Sequence, residues 1–281
     1  MPRIALVNGN YLPIEEAKIP IMDRGFLFGD GIYEVTAVLD GRLVDNQPHL
    51  DRLRKSLGEI GIKNPHSDPE WTRLQTELIR RNNFREGLVY IEVTRGVFER
   101  DFLCPDGLTP TVVMFTQPKD MRDSPAARAG AAVITTPDLR WKRRDIKSVM
   151  LLGQVMAKQV ARAAGAAEAW LVEDGLVTEG ASSTAFIIGK DRCIVTRPLS
   201  TAILPGITRA AVLRLAERHR LKFEQRAFTV DEACAAAEAF YTSASTVVMP
   251  VISIDGRRIG DGKPGPLTIE LRQLYLDMAV A

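Results

Sequence analysis

The sequence predicts a mixed α/β chain of the α+β kind, folded as two domains. Three observations lead there. First, two-residue turn signals recur between apolar or alternating segments: Asn8-Gly9, Asp40-Gly41, Asp174-Gly175 and Asp255-Gly256. Asn-Gly and Asp-Gly accept the positive φ that a type I′ turn demands, so each marks a β-hairpin. Second, helical stripes lie between these hairpins without regular βαβ alternation. No GxGxxG or Walker pattern appears, which disfavours a doubly wound nucleotide-binding fold. Third, the polar stretch QPKDMRDSPAARAG (117–130) carries two prolines and separates the apolar strands TVVMFT and AAVITT. It divides an N-terminal α/β domain (1–118), a linker (119–129) and a C-terminal domain (130–281).

The helices follow from apolar spacing. In QPHLDRLRKSLGEIGI, Leu50, Leu53, Leu57 and Ile60 recur at three and four, one buried stripe with Pro48 near its start. DPEWTRLQTELIRRNNF predicts a second helix ending at Asn82-Asn83. VMLLGQVMAKQVARAAGA predicts a third, with Ser148 as its N-cap. TRAAVLRLAERHR is a fourth and VDEACAAA a short fifth.

Composition narrows the function classes. The chain has 281 residues, 46% hydrophobic and 26% charged, with a formal net charge of +2. Scattered basic residues and near-neutral charge argue against nucleic acid or an anionic membrane as partner. No apolar run reaches membrane-spanning length, and the N-terminus carries no cleavage signature, so a cytoplasmic location is expected. The three cysteines and three histidines fit neither a disulfide framework nor a metal-ligand spacing, so no metal is expected.

Five features can carry chemistry. Lys147, in DIKSVMLL, is flanked by Ile146 and Val149. An amine near apolar surroundings loses solvation of its charged form and becomes a nucleophile; alternatively the lysine snorkels to the surface. Glu179, in VTEGASSTAF, precedes a small, hydroxyl-rich turn; alone it reads more commonly as a strand-end carboxylate in water. In ILPGITR, Gly206 permits a tight approach and Ile207 and Thr208 open a helix, whose free N–H groups make an anion site. Ser243, Ala244, Ser245 and Thr246 form a turn resembling a phosphate cup or an ordinary Ser-rich loop. Arg52, beside the buried stripe, either projects inward toward a phosphate or lies flat on the surface.

The series MDRGFLFGDGIYEV, HLDRL, VTRG, DIKS, VTEGASS, LPGITR and TSAS spans nearly the whole chain. In wording and order it resembles the class IV aminotransferases, the fold type IV enzymes of pyridoxal 5′-phosphate (PLP). The resemblance implies a two-domain fold with PLP in the interdomain cleft, and a homodimer. It implies that Lys147 carries PLP as a Schiff base and shuttles the proton in a ping-pong transamination between an amino donor and a 2-oxo acid. Glu179 would partner the pyridinium nitrogen. Arg52 and the backbone N–H groups of Ile207, Thr208, Ser243 and Ala244 would hold the phosphate.

Among subgroups, FLFGDGIYEV and VTRGVFERDF most resemble D-amino acid aminotransferases. There Arg100 would bind the substrate carboxylate by two parallel hydrogen bonds, with Tyr33 in the same pocket. Phe102 stands where the subgroup's best-known form has histidine, which bears on substrate choice. Thr184 and Ala244 replace the usual asparagine and threonine. The alternatives are an (R)-selective amine transaminase and, less favoured, a branched-chain aminotransferase or an aminodeoxychorismate lyase.

Overall fold

The computed structural model describes residues 2–280. The chain forms two compact units: the first runs to Asp120 and includes Ile146–Met150, and the second comprises Met121–Asp145 and Leu151–Ala279.

The first unit is built on β1 (Ile4–Val7), β2 (Asn10–Pro13), β3 (Gly31–Leu39), β4 (Arg42–Leu43), β5 (Gly87–Thr94) and β6 (Thr111–Pro118). They form one sheet in the order β2-β1-β6-β5-β3-β4, and every pair is antiparallel. Asn8-Gly9 and Asp40-Gly41 turn its two hairpins with φ of 48° and 84°, and 52° and 76°, the left-handed pair that a type I′ turn requires. Helices α1 (Arg24–Phe28), α2 (Asn46–Glu59) and α3 (Asp68–Arg81) complete the unit. The α2 stripe is buried as its spacing predicts, with Leu50, Leu53 and Leu57 at 1% exposure or less; each contributes about 2 kcal/mol on burial. Ser67 caps α3 through the Glu70 N–H, Asp68 and Glu70 sit in its first turn, and Arg80 and Arg81 in its last. That polarity complements the helix dipole.

The second unit contains α4 (Pro125–Ala129), β7 (Ala131–Pro137), α5 (Leu152–Ala163), β8 (Glu168–Glu173), β9 (Leu176–Gly180), β10 (Thr184–Ile188) and β11 (Ile194–Thr196). It continues with α6 (Ile207–Arg218), β12 (Phe223–Gln225), α7 (Val230–Ala235), β13 (Glu238–Ser243), β14 (Val247–Ile254), β15 (Arg257–Arg258) and α8 (Pro266–Val280). The sheet order is β12-β11-β10-β13-β14-β7-β8-β9, with β15 on β14. Parallel pairs β14-β7, β7-β8 and β11-β12 mix with antiparallel ones. The Asp174-Gly175 and Asp255-Gly256 hairpins turn with the same left-handed pair of residues.

Three expectations change. Ser148 is not a helix cap: α5 begins at Leu152, and Ser148 bridges to Ile32. The polar stretch after Pro118 contains α4, capped by the Ser124 hydroxyl. The sequence reading also passed over α8, whose apolar residues are too evenly spread around the helix to form a stripe.

Candidate active site

In the first unit, residues 146–149 run beside β3. The Tyr33 N–H donates to the Lys147 carbonyl and the Val149 N–H to the Gly31 carbonyl, each at 3.0 Å. The Ser56 hydroxyl of α2 accepts from the Lys147 N–H at 3.3 Å. Lys147 is therefore fixed by its backbone, while its side chain remains half-buried. Its Nζ lies 4.1 Å from the centroid of the Tyr33 ring, and Tyr33 stacks on Tyr90 at 5.6 Å. The amine thus rests on an aromatic face, where a cation is attracted by the ring.

Arg52 is placed inward, against a buried carboxylate that the sequence reading missed. Its Nε donates to Glu34 Oε1 at 2.7 Å and its Nη2 to Glu34 Oε2 at 2.8 Å. His49 Nδ1 lies 2.7 Å from the same Oε2. Glu34 is fully buried, yet Arg52 and then His49 outweigh that burial and hold its carboxyl far below the usual range. Burial lowers the pKa of His49. A signal was present in sequence: Glu34 interrupts the apolar run IYEVTAVL on the strand beside the Arg52 helix.

Arg100 and Phe102 lie in an exposed loop after β5. Phe102 is 80% exposed and its ring is 5.5 Å from Phe28; the Arg100 guanidinium is 5.7 Å from the same ring. Arg24 anchors this loop by donating to the Asp101 and Phe102 carbonyls at 2.6 and 3.2 Å. Asp30 accepts from both Arg24 and Arg95. The DRG, GDG and VTRG wording is thereby explained as the frame of this loop.

In the second unit, Glu179 lies on β9 at 3% exposure. Arg140 Nη1 donates to its Oε1 at 2.6 Å, and the Leu204 N–H donates to both oxygens at 3.1 Å. Arg140 is shared, because its Nε and Nη2 grip Asp138 at 2.9 and 2.8 Å. Burial therefore outweighs Arg140, and the Glu179 pKa is raised. Its Oε2 receives only the divided Leu204 donor, which leaves a buried carboxylate oxygen with room for another N–H. The hydroxyls after it serve elsewhere: Ser182 and Ser183 donate to Glu168 at 3.1 and 3.0 Å.

Two turns of this unit carry the groups expected to hold a phosphate. Helix α6 begins at Ile207 after Gly206, which offers no side-chain cap. The first intrahelical bond runs from Ala210 N–H to the Gly206 carbonyl at 3.0 Å, so the Ile207 and Thr208 N–H groups have no acceptor within the helix. A Cβ on Gly206 would sit 2.8 Å from Thr184 Oγ1, so only glycine permits that close approach. In the β13–β14 turn, Ser243 Oγ lies 3.1 Å from Ser245 Oγ and 2.8 Å from Thr246 Oγ1, and accepts from the Thr246 N–H at 3.2 Å. Ala244 completes this turn.

The first unit thus presents a half-buried amine over an aromatic ring, and the second a buried carboxylate and a turn of clustered hydroxyls. Comparison with known proteins identifies the family. The amino-transferase class IV family model matches residues 31–254. The chain is 45% identical to a D-alanine aminotransferase of Bacillus licheniformis over 263 residues, covering 94% of this chain and 92% of the relative. Among solved structures, a branched-chain amino acid aminotransferase of Escherichia coli superposes with a TM-score of 0.91 at 21% identity, covering 99% of this chain and 95% of that one. A PLP-bound hypothetical aminotransferase of Mycobacterium tuberculosis superposes at 0.86 with 25% identity, covering 99% of each chain. The chain belongs to the class IV aminotransferases, enzymes that depend on PLP.

Proposed function

We propose that the enzyme transfers the amino group of a D-amino acid to a 2-oxo acid. The observation that carries this reading is the 45% identity to a D-alanine aminotransferase over nearly the whole chain. Arg100 supports it, as an exposed guanidinium in a loop held by Arg24, suited to grip a substrate carboxylate by two parallel hydrogen bonds.

The residues fit PLP. Glu179 Oε2 has acceptor capacity for the pyridine N–H. The Gly206 cradle, the Ile207 and Thr208 amides and the turn of Ser243 and Ala244 suit a phosphate. Arg52, held still by Glu34 and His49, adds pre-organised positive charge. When bound, PLP supplies an electron sink for the bond broken at the donor α-carbon.

The chain's own groups do the rest. Lys147 Nζ would hold the cofactor. The Lys147 amine would also take the α-proton of the donor and return a proton, so one group would serve as nucleophile and base. Glu179 would hold the proton on the ring nitrogen. Tyr33 would lie beside the substrate at Lys147, and Phe102 would supply an apolar surface near Arg100.

A homodimer is part of this reading. The outer face of α5 exposes Leu152, Val155, Met156 and Val160 at 50–73%, an apolar stripe suited to a second copy. No described helix is long and apolar enough to cross a membrane, and we place the enzyme in the cytoplasm.

The test is the visible band of the bound cofactor after single additions of D-alanine, L-leucine or (R)-1-phenylethylamine. Bleaching by D-alanine alone is expected. Bleaching mainly by the (R)-amine would replace this reading with an amine transaminase, and bleaching by L-leucine with a branched-chain enzyme.

A further inference from the structure

Val247 opens β14 with φ of +59° and is 1% exposed. A β-branched residue in the left-handed region is strained, and persists only where its surroundings over-determine it. Here the surroundings are Arg272, on α8 and 8% exposed. Its Nη1 donates to the carbonyls of Thr246 and Val248 at 2.9 Å each, the residues immediately before and after Val247. Its Nη2 donates to the Met121 carbonyl. One planar guanidinium therefore clamps both sides of the strained residue and ties them to a third segment.

Val247 pairs with Ser243 at the end of the β13–β14 hairpin. The left-handed step there folds Ser243, Ser245 and Thr246 together, with their hydroxyls 2.8–3.1 Å from Ser243 Oγ. With Val247 in an extended conformation, the chain would leave the turn in another direction and the Ser243–Val247 pair that closes the turn would be lost.

We propose that Arg272 is a positioning residue for the cofactor phosphate: it holds Val247 left-handed and so shapes the Ser243–Thr246 turn as an anion cup. This rests on the reading that the turn binds phosphate. Arginine suits the task because its fork spans two carbonyls at fixed geometry, which a lysine point charge does not. Arg272 need not touch the cofactor.

The test uses full-length protein freed of cofactor and titrated with PLP and, separately, with pyridoxal, which keeps the aldehyde and lacks the phosphate. Arg272→Lys is expected to weaken PLP binding on the order of tenfold and leave pyridoxal binding within about twofold. Arg272→Gln, which keeps a neutral donor, is expected to show the same split if the lysine variant does not fold. Adding Val247→Gly, which accepts the left-handed conformation without strain, is expected to restore most of the lost PLP affinity. Unchanged PLP affinity in the Arg272 variants, equal loss for both ligands, or no rescue by Val247→Gly would overturn the proposal. Equal affinity of the wild-type protein for PLP and pyridoxal would overturn the cup reading itself, and the proposal with it.

Discussion

Each unit buries a glutamate against an arginine, and the two carboxyl groups respond oppositely. Glu34 receives both prongs of Arg52 and the ring of His49, and its pKa falls. Glu179 receives one N–H of an arginine already committed to Asp138 and one backbone N–H shared between its two oxygens, and its pKa rises. Burial is nearly complete at both, so what separates them is the number of donors. A fully satisfied carboxylate is a structural strut. An under-satisfied one has capacity left for a ligand, and the fold bears the desolvation cost of keeping it.

The largest expected effect lies at Glu179. Glu179→Gln removes the charge while keeping the shape, and turnover should fall on the order of a thousandfold, as when a charge-stabilising partner is lost. Rates within tenfold of wild type would break the distinction. Next comes Glu34→Gln, which leaves the Arg52 charge buried without its partner; chemical denaturation should show a loss of about 3 kcal/mol at neutral pH. An unchanged midpoint and slope would make Glu34 no strut.

The smallest effects are in pH dependence, and the two sites should have opposite signs. Glu34 has a lowered folded pKa, so its stabilisation is complete above its unfolded value of 4.5 and fades as pH falls through the folded value. Glu179 has a raised folded pKa, so its contribution is complete below 4.5 and is lost as pH rises through the folded value. Cofactor-free Glu179→Gln should therefore melt higher than wild type at neutral pH, by roughly 2 °C, with the gap closing in acid. Thermal melts across pH 4–8 check this, and a lower melting temperature for Glu179→Gln would reverse the assignment.

Much of this was legible in the sequence, for physical reasons. Four Asn-Gly or Asp-Gly pairs place four hairpins because few other residues accept two successive positive φ values. Lys147 and Glu179 stand out through the wording around them. Glu34 and Arg140 did not, because a buried ion pair joins residues far apart in sequence and neither partner alone differs from a surface charge. Ser148 misled because serine before an apolar run reads as a cap, whereas the chain first runs extended beside β3. The strain at Val247 has no sequence signature at all: a valine between a turn and a strand is ordinary until its φ is seen.

The most direct measurement is the NMR shift of the ring nitrogen in isotopically labelled PLP bound to the wild-type, Glu179→Gln and Glu34→Gln proteins. The account predicts a protonated nitrogen in wild type and in Glu34→Gln, and an unprotonated one in Glu179→Gln. A nitrogen that keeps its proton in Glu179→Gln would contradict the claim that this under-satisfied carboxylate holds the cofactor ring.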